Sequence, residues 1–233
     1  LFFAIPAGAW IPILTEDFSA PSGWTYYGVT NGLGQDLFRV DGGRLQAEWD
    51  AAYGLDLNLD PMTILTSTFS APLGRTLTDA DTFRVRVTLN LTSLKNRDFY
   101  QIASFGLFNP DHMGHDRTFI DDTWTFDGEN WVPLFEKTTL VPNAQNLVEF
   151  NYFINEMFGG PSVQPNISAD DETMVYGSNM RLLGNDALPT LQDIYAEVFY
   201  SADTRMARAT IYSDAAYTEV LTINGIPVQE DSA

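Results

Sequence analysis

The chain has 233 residues, of which 45% are hydrophobic, 13% aromatic and 18% charged, so it is long enough to bury one large core. Its 12 Lys and Arg residues against 31 Asp and Glu residues give a net charge of -19, which excludes nucleic acids and anionic membranes as favoured partners. The absence of cysteine excludes disulfides, zinc-thiolate sites and cysteine nucleophiles, and the aromatic content excludes a largely disordered chain.

The first predicted element is an apolar extension over residues 1–14, which contains no charged side chain. It is too short to cross a bilayer as a helix, which takes about 20 residues, and Pro6 and Pro12 disfavour a helix interior, so we expect no membrane span. An ordered apolar segment needs cover and backbone partners. It is therefore either the first strand of its own domain or a donor strand that completes the sheet of a neighbouring copy.

A retained signal peptide is a third alternative for this segment, although the basic region that begins such a peptide is missing. In the donor-strand interpretation, the apolar side chains would bind the neighbouring subunit. These residues are Leu1, Phe2, Phe3, Ile5, Trp10, Ile11 and Ile13.

The pattern from residue 15 to residue 228 predicts one domain of short strands separated by turns, followed by a polar tail at residues 229–233. Residues 36–40 and 44–49 alternate with period two around a glycine turn, which predicts a hairpin. Residues 83–89 alternate strictly, which predicts a half-buried antiparallel strand. We expect its inward side chains Phe83, Val85 and Val87 to be buried.

Further alternating segments follow along the chain, and none has the apolar stripe of a long helix. They lie at residues 100–108, 147–154, 194–200, 208–212 and 219–223, the last before the turn-like Asn224-Gly225. Only one or two helical turns are expected, near residues 77–81 and 188–193. We therefore predict an all-β fold, a two-sheet antiparallel β-sandwich (jelly roll) with an extended apolar N-terminal strand.

Several short motifs mark the body of the chain. In chain order they are Glu16-Asp17-Phe18 with Trp24, Leu37 to Val40 with Gly43-Arg44-Leu45, Leu77 to Phe83, Ile102 to Phe108 with Asn109, Leu188-Pro189, and Tyr195 to Val198 with Tyr200, Ala202 and Asp203. Their order resembles the concanavalin A-like (laminin-G-like) jelly-roll domains of bacterial extracellular proteins. This resemblance covers residues 15–228 and implies the fold, whereas it implies little about function because the motifs are structural.

The composition predicts an extracellular or cell-surface location. Lysine occurs only at Lys95 and Lys137, whereas Asn, Thr, Ser, Asp and Gly are plentiful, as in exported bacterial β-proteins. Because the chain begins at Leu1 instead of a methionine, we also expect that a leader has been removed.

Catalytic constellations are not evident in the sequence. A retaining glycosidase needs two carboxylates roughly 5 Å apart, commonly alternating along one strand. Glu197 has no acidic residue two positions away, and the chain contains no Gly-x-Ser-x-Gly turn for a serine nucleophile. We therefore expect that the protein is not an enzyme.

Two groups of side chains are candidate metal ligands. Asp111, His112, His115 and Asp116 share one loop and could bind a divalent ion, the alternative being a solvated polar loop. Asp121, Asp122, Asp127 and Glu129 offer the oxygen ligands that structural calcium prefers, the alternative being an acidic surface.

Two tryptophans and two asparagines complete the candidate sites. Trp124 and Trp131 could stack against sugar rings, although tryptophans in a sandwich more often belong to the core. Asn90 and Asn166 match the N-glycosylation acceptor pattern, which also arises by chance.

Two functions are consistent with these features. The first is a structural subunit of an extracellular filament or surface assembly, joined to copies of itself by N-terminal donor-strand complementation. The second is a carbohydrate-binding module that binds a polysaccharide. The apolar residues 1–14 favour the filament, because a polymer buries them between subunits whereas a soluble module has no need to expose them.

Overall fold

The structure, a computed structural model, describes residues 10–28, 38–47, 67–92, 100–107, 115–116, 124–126, 131–133, 142–143, 147–154, 160–168, 180–184 and 187–232. Every regular element within these ranges is a β-strand, which confirms the all-β prediction. No helix in the described ranges is long and apolar enough to cross a membrane.

The strands of the described ranges are numbered in chain order. They are β1 (Thr25–Gly28), β2 (Phe38–Asp41), β3 (Arg44–Ala47), β4 (Ser67–Ser70), β5 (Phe83–Asn90), β6 (Tyr100–Leu107), β7 (His115–Asp116), β8 (Trp124–Phe126), β9 (Trp131–Pro133), β10 (Pro142–Asn143), β11 (Leu147–Ile154), β12 (Ser162–Ser168), β13 (Arg181–Leu182), β14 (Asp193–Ser201), β15 (Met206–Tyr212), β16 (Thr222–Ile223), β17 (Ile226–Pro227) and β18 (Gln229–Asp231).

Two four-stranded antiparallel sheets form the body of the described structure. The first has the order β13-β12-β11-β6 and the second the order β18-β15-β14-β5. Strands β11 and β12 lie against β14 and β15, so the sheets stack face to face as a β-sandwich. This arrangement confirms the predicted antiparallel sandwich.

Strand alternation explains where the core lies. Along β14, Ile194, Ala196 and Val198 point inward and are at most 1% exposed, while the side chains between them point outward. The buried core cluster consists of Phe150, Tyr152, Val163, Leu183, Leu188, Ile194, Ala196, Val198, Ala207, Ala209, Ile211 and Val228. Both sheets contribute to it, so their packing is the main source of stability.

The predicted hairpin at residues 36–49 is present as β2 and β3. Asp41 pairs with Arg44, and the two residues between them, Gly42 and Gly43, have φ values of 59° and 71°. A two-residue turn with positive φ at both positions matches the twist of the adjoining strands and favours glycine.

Three details of the sequence-based prediction are wrong. Residues 77–81 form a turn, closed by a 3.0 Å bond from the Asp81 amide to the Thr78 carbonyl, and residues 188–193 contain no helical turn. In the second segment Leu191 has a φ of 60° and donates its amide to the distant Leu91 carbonyl. Phe83, Val85 and Val87 are half-buried instead of buried, because among the described strands β5 has a neighbour on one side only.

Candidate functional site

A nearly buried carboxylate lies on the outer face of the second sheet. Glu197 points outward from β14, where the strand register places it between Arg86 of β5 and Thr210 of β15. The residue is only 6% exposed, which is rare for an acidic side chain unless it is paired.

Both carboxylate oxygens of Glu197 have partners. The Arg86 Nε donates to Oε2 at 2.6 Å, and the Tyr212 hydroxyl donates to Oε1 at 3.1 Å. An Arg84 guanidinium nitrogen lies 3.9 Å from Oε2. The charge of Glu197 is thus held by two cations and a phenol, an arrangement that suits a structural ion-pair network.

The same network shifts the proton affinity of its members. Burial raises the pKa of the Tyr212 hydroxyl, and the negative charge of Glu197 acts in the same direction. Burial lowers the pKa of the Arg84 guanidinium, and the like charge of Arg86 adds to this effect.

An aromatic cluster covers one side of this network. The Tyr217 ring centroid lies 4.1 Å from the Arg86 guanidinium carbon, 5.7 Å from the Tyr195 ring and 5.5 Å from the Tyr212 ring. Tyr217 itself has a φ of 58°, an uncommon value for a residue other than glycine. The cluster packs three tyrosine rings and the Arg86 guanidinium against one another beside Glu197.

The loop that carries Tyr217 is held by one carboxylate. Asp214 accepts hydrogen bonds from the backbone amides of Thr218 at 2.9 Å and Glu219 at 2.7 Å, and from the Thr218 hydroxyl at 2.8 Å. The backbone bond from Glu219, followed by that from Thr218, holds the pKa of Asp214 below its usual value. The loop is therefore ordered by its own side chains.

The N-terminal segment reaches the other side of the network. The Trp10 ring meets Phe199 edge to face with centroids 6.0 Å apart, and the Arg84 guanidinium carbon lies 4.2 Å from the Trp10 centroid. Because Phe199 and Arg84 are cross-strand neighbours, they form one contact surface, which we call the Trp10 seat.

The residues after Trp10 remain open to solvent. Trp10 is 44% exposed, Ile11 67%, Ile13 41% and Leu14 48%. Among the predicted subunit-binding residues, Trp10 thus contacts its own domain and Ile11 and Ile13 are exposed. The others, Leu1, Phe2, Phe3 and Ile5, lie outside the described residues.

Strand β5 forms one edge of the second sheet. It is eight residues long and pairs with β14, and no described strand lies on its other side. Its core-facing side chains Phe83, Val85, Val87 and Leu89 are half-buried. The Trp10 seat lies across β5 and β14 on the outer face of this sheet.

The candidate metal ligands are only partly within the described structure. His115 and Asp116 form β7, where they pair with Asn143 and Pro142 of β10. Asp111 and His112 lie outside the described residues, as do the acidic calcium candidates at 121, 122, 127 and 129. Among the residues that the structure describes, no group of three or more acidic, histidine or cysteine side chains is placed to hold a metal.

The remaining candidates fall on four different strands. Trp124 and Trp131 belong to the paired strands β8 and β9, where Trp131 lies opposite Phe126. Asn90 ends β5, is exposed and donates its amide to the Asp193 carboxylate at 2.8 Å. Asn166 lies on β12 and is 0% exposed, so its amide is not accessible in the folded chain.

Sequence reasoning missed the site around Glu197. The outward alternation of Arg84 and Arg86 was evident, but nothing local shows that Glu197, 111 residues beyond Arg86, lies beside them. The Trp10 seat was missed for the same reason.

No family model, curated protein or solved structure matches the chain.

Proposed function

We propose that the chain is a structural subunit of an extracellular filament or surface assembly, joined to copies of itself through its apolar N-terminal segment. The observation that carries the proposal is the exposure of Trp10, Ile11, Ile13 and Leu14, at 41 to 67%, on a folded sandwich. Consecutive exposed apolar side chains mark an interaction surface, because leaving them in water forgoes their burial.

Burying these four side chains would contribute a moderate favourable free energy to association. Full burial of such a side chain contributes about 1.5 to 3 kcal/mol, and each has roughly half of its surface left to bury, so together they contribute on the order of 3 to 6 kcal/mol. Ordering and association costs oppose this gain. The apolar side chains of residues 1–9 would add to it, which makes the whole segment the joining element.

Strand addition suits this segment. Residues 10–14 belong to none of the strands that the structure describes. Pro12 lacks an amide hydrogen, and proline is tolerated in a strand only at an edge. A segment that joins the edge of another copy's sheet lies outside the described strands of its own domain, and it lies at a sheet edge, where proline is tolerated.

Deleting residues 1–14 tests the proposal. The full-length protein should form filaments visible by electron microscopy and a polymer peak by light scattering, whereas the deletion variant should stay monomeric. Ile11→Asp combined with Ile13→Asp keeps the segment's length and should weaken assembly at least tenfold in critical concentration.

Leu191→Asp is the matched control, because Leu191 is 75% exposed and lies near Leu91, away from the Trp10 seat. This variant should assemble like the unchanged protein. Filaments that form equally well without residues 1–14, or a full-length protein that stays monomeric, would contradict the proposal.

Polysaccharide binding is a second candidate function, favoured by the ring cluster of Tyr195, Tyr212 and Tyr217 beside Arg86. Aromatic faces pack against the apolar faces of sugar rings, and the resemblance to concanavalin A-like domains agrees with this candidate. Tyr217→Ala should then reduce retention on a polysaccharide affinity gel at least fivefold. Equal retention of the variant and the unchanged protein would count against it.

A further inference from the structure

We propose that Asn90 is an acceptor site for N-linked glycosylation, with an oligosaccharide joined to its side-chain amide, and that Asn166 is not. Both residues begin the Asn-x-Ser/Thr pattern that the oligosaccharide transferase requires, in Asn90-Leu91-Thr92 and Asn166-Ile167-Ser168. The inference goes beyond the proposed function and shares with it only the extracellular location.

The structure separates the two asparagines by exposure. Asn90 is the last residue of β5, and both Asn90 and Thr92 are exposed, so both residues that the transferase recognises can be reached from solvent. Asn166 lies within β12 and is 0% exposed. A sugar attached there would need space that the folded chain already fills. Modification and folding are therefore compatible at Asn90 and incompatible at Asn166.

The amide of Asn90 is held in a way that accommodates a sugar. Its Nδ2 donates to an Asp193 carboxylate oxygen at 2.8 Å, across the antiparallel pairing of β5 with β14. The amide nitrogen carries two hydrogens, and glycosylation replaces one of them. The other hydrogen can keep the bond to Asp193, so attachment of the sugar does not cost this contact.

An exposed leucine beside Asn90 offers a contact for the first sugar. The Leu191 amide donates at 2.7 Å to the carbonyl of Leu91, the middle residue of the pattern, and the Leu191 side chain is 75% exposed. Leu191 also has a φ of 60°, an uncommon conformation for a bulky side chain. The apolar face of a sugar ring at Asn90 would cover this side chain and remove apolar surface from water.

The proposed modification is a group transfer to an amide nitrogen, and its co-substrate is an oligosaccharide carried on a lipid pyrophosphate. The Asn90 Nδ2 forms a bond to C1 of the first sugar. The bond from C1 to the pyrophosphate oxygen breaks, and the lipid pyrophosphate leaves with the electron pair. A base of the transferase takes one amide proton, so this protein supplies only the acceptor.

Secretion from a eukaryotic host tests the assignment, because its secretory pathway supplies the transferase and the lipid-linked oligosaccharide. The protein is fused to a secretion signal, and the folded product is analysed by intact mass and by mass spectrometry of its glycopeptides. We expect the glycan on Asn90 at least tenfold more often than on Asn166. Thr92→Ala should abolish the modification while keeping Asn90, and Ser168→Ala is the matched control, which should leave the attached mass unchanged.

A folded, secreted protein with an unmodified Asn90, or with its glycan mainly on Asn166, would overturn the inference. Loss of the glycan in Ser168→Ala but not in Thr92→Ala would overturn it as well.

These masses do not depend on whether the protein assembles. Asn90 lies six residues along β5 from Arg84 of the Trp10 seat, about 20 Å, so Thr92→Ala should assemble like the unchanged protein. A protein that is glycosylated on Asn90 but forms no filaments would overturn the proposed function alone.

The contact between the sugar and Leu191 has its own measurement. Loss of the glycan in Thr92→Ala should lower the midpoint of thermal unfolding. The same comparison in a Leu191→Ser background should give at most half of that decrease, because the sugar then has no apolar side chain to cover. An equal decrease in the two backgrounds would overturn the Leu191 contact.

Discussion

Glu197 keeps a negative charge on a part of the outer face that is nearly closed to water. Its two oxygens are held by Arg86 and Tyr212, and Arg84 links the same carboxylate to the Trp10 seat. A buried ion pair adds little net stability when it forms. Removing one member is costly, because it leaves the opposite charge buried without a partner. The network therefore orders the face on which both proposed functions depend.

Glu197→Gln should lower the free energy of unfolding by about 2 to 3 kcal/mol, because the amide keeps the shape of the side chain and removes its charge. Urea unfolding followed by tryptophan fluorescence measures the change. Asp231→Asn is the matched control, since the Arg208–Asp231 pair is 46% and 41% exposed and should contribute less than about 1 kcal/mol. Equal losses in the two variants would contradict this account.

Tyr152 makes stability depend on pH above the neutral range. Its side chain is fully buried, its hydroxyl accepts the Leu188 amide at 3.0 Å, and burial raises its pKa to about 12. In the unfolded chain the tyrosine pKa is about 10. Between these values the unfolded chain releases a proton that the folded chain keeps, so stability is complete below about pH 10 and falls as pH rises toward 12.

The expected loss from Tyr152 is about 2 to 3 kcal/mol across that interval, measured by urea unfolding at several pH values. Tyr152→Phe should be less stable at pH 8, because the Leu188 amide loses its acceptor, but its stability should fall less steeply above pH 10. Identical pH slopes for the two proteins would show that Tyr152 does not titrate in this way.

Among the strands, the hairpin of β16 and β17 shows how local conformation supports the sandwich. Its turn residues Asn224 and Gly225 have φ values of 51° and 79°, and the chain after it returns to the core at Val228. The Val228 amide donates to the Leu221 carbonyl at 2.8 Å and closes the hairpin. The Leu221 amide donates to the Ile211 carbonyl at 2.8 Å and the Ile211 amide donates to the Val228 carbonyl at 3.0 Å, which fastens the hairpin to β15. An added Cβ at Gly225 would meet no atom within 4 Å, so a substitution there changes backbone preference alone.

Gly225→Val should therefore destabilise the protein by about 1 to 2 kcal/mol, the cost of a left-handed conformation for a side chain with a Cβ. Gly225→Asn is the matched variant and should cost less, because asparagine adopts this conformation more readily. Thermal and urea unfolding measure both. A valine variant as stable as the asparagine variant would mean that the turn rearranges.

At the scale of the whole molecule, net charge would oppose the proposed assembly. Each copy carries a formal charge of -19, so neighbouring subunits in the proposed assembly would repel each other. Salt shortens the distance over which this repulsion acts, from about 30 Å at 0.01 M to about 8 Å at 0.15 M. Hydrophobic contacts are not weakened over this range.

Raising the salt concentration over this interval should therefore lower the critical concentration for assembly several-fold, as measured by light scattering. The variant without residues 1–14 serves as the control and should stay monomeric at every salt concentration, which separates assembly from precipitation. Assembly that weakens as salt rises would show that attraction between charged groups, and not the apolar segment, joins the subunits.

The sequence by itself determined the features that depend on neighbouring residues. A strand that buries one face must alternate with period two, so the bounds of β11 were predicted as Leu147–Ile154. Glycine favours positive φ wherever it stands, so the turn at Gly42-Gly43 was also evident. The fold class followed from the number of such strands and turns.

Only the tertiary structure decided which strands are neighbours, because pairing over long separations is not encoded in any local pattern. Glu197 has no nearby cation in the sequence, and it is paired because the sheet register brings Arg86 beside it. Trp10 likewise meets Arg84 and Phe199 only once β5 and β14 are adjacent. The half-burial of β5 follows from its position at the edge of the sheet among the described strands, since a strand with the same alternation is buried when neighbours cover it on both sides.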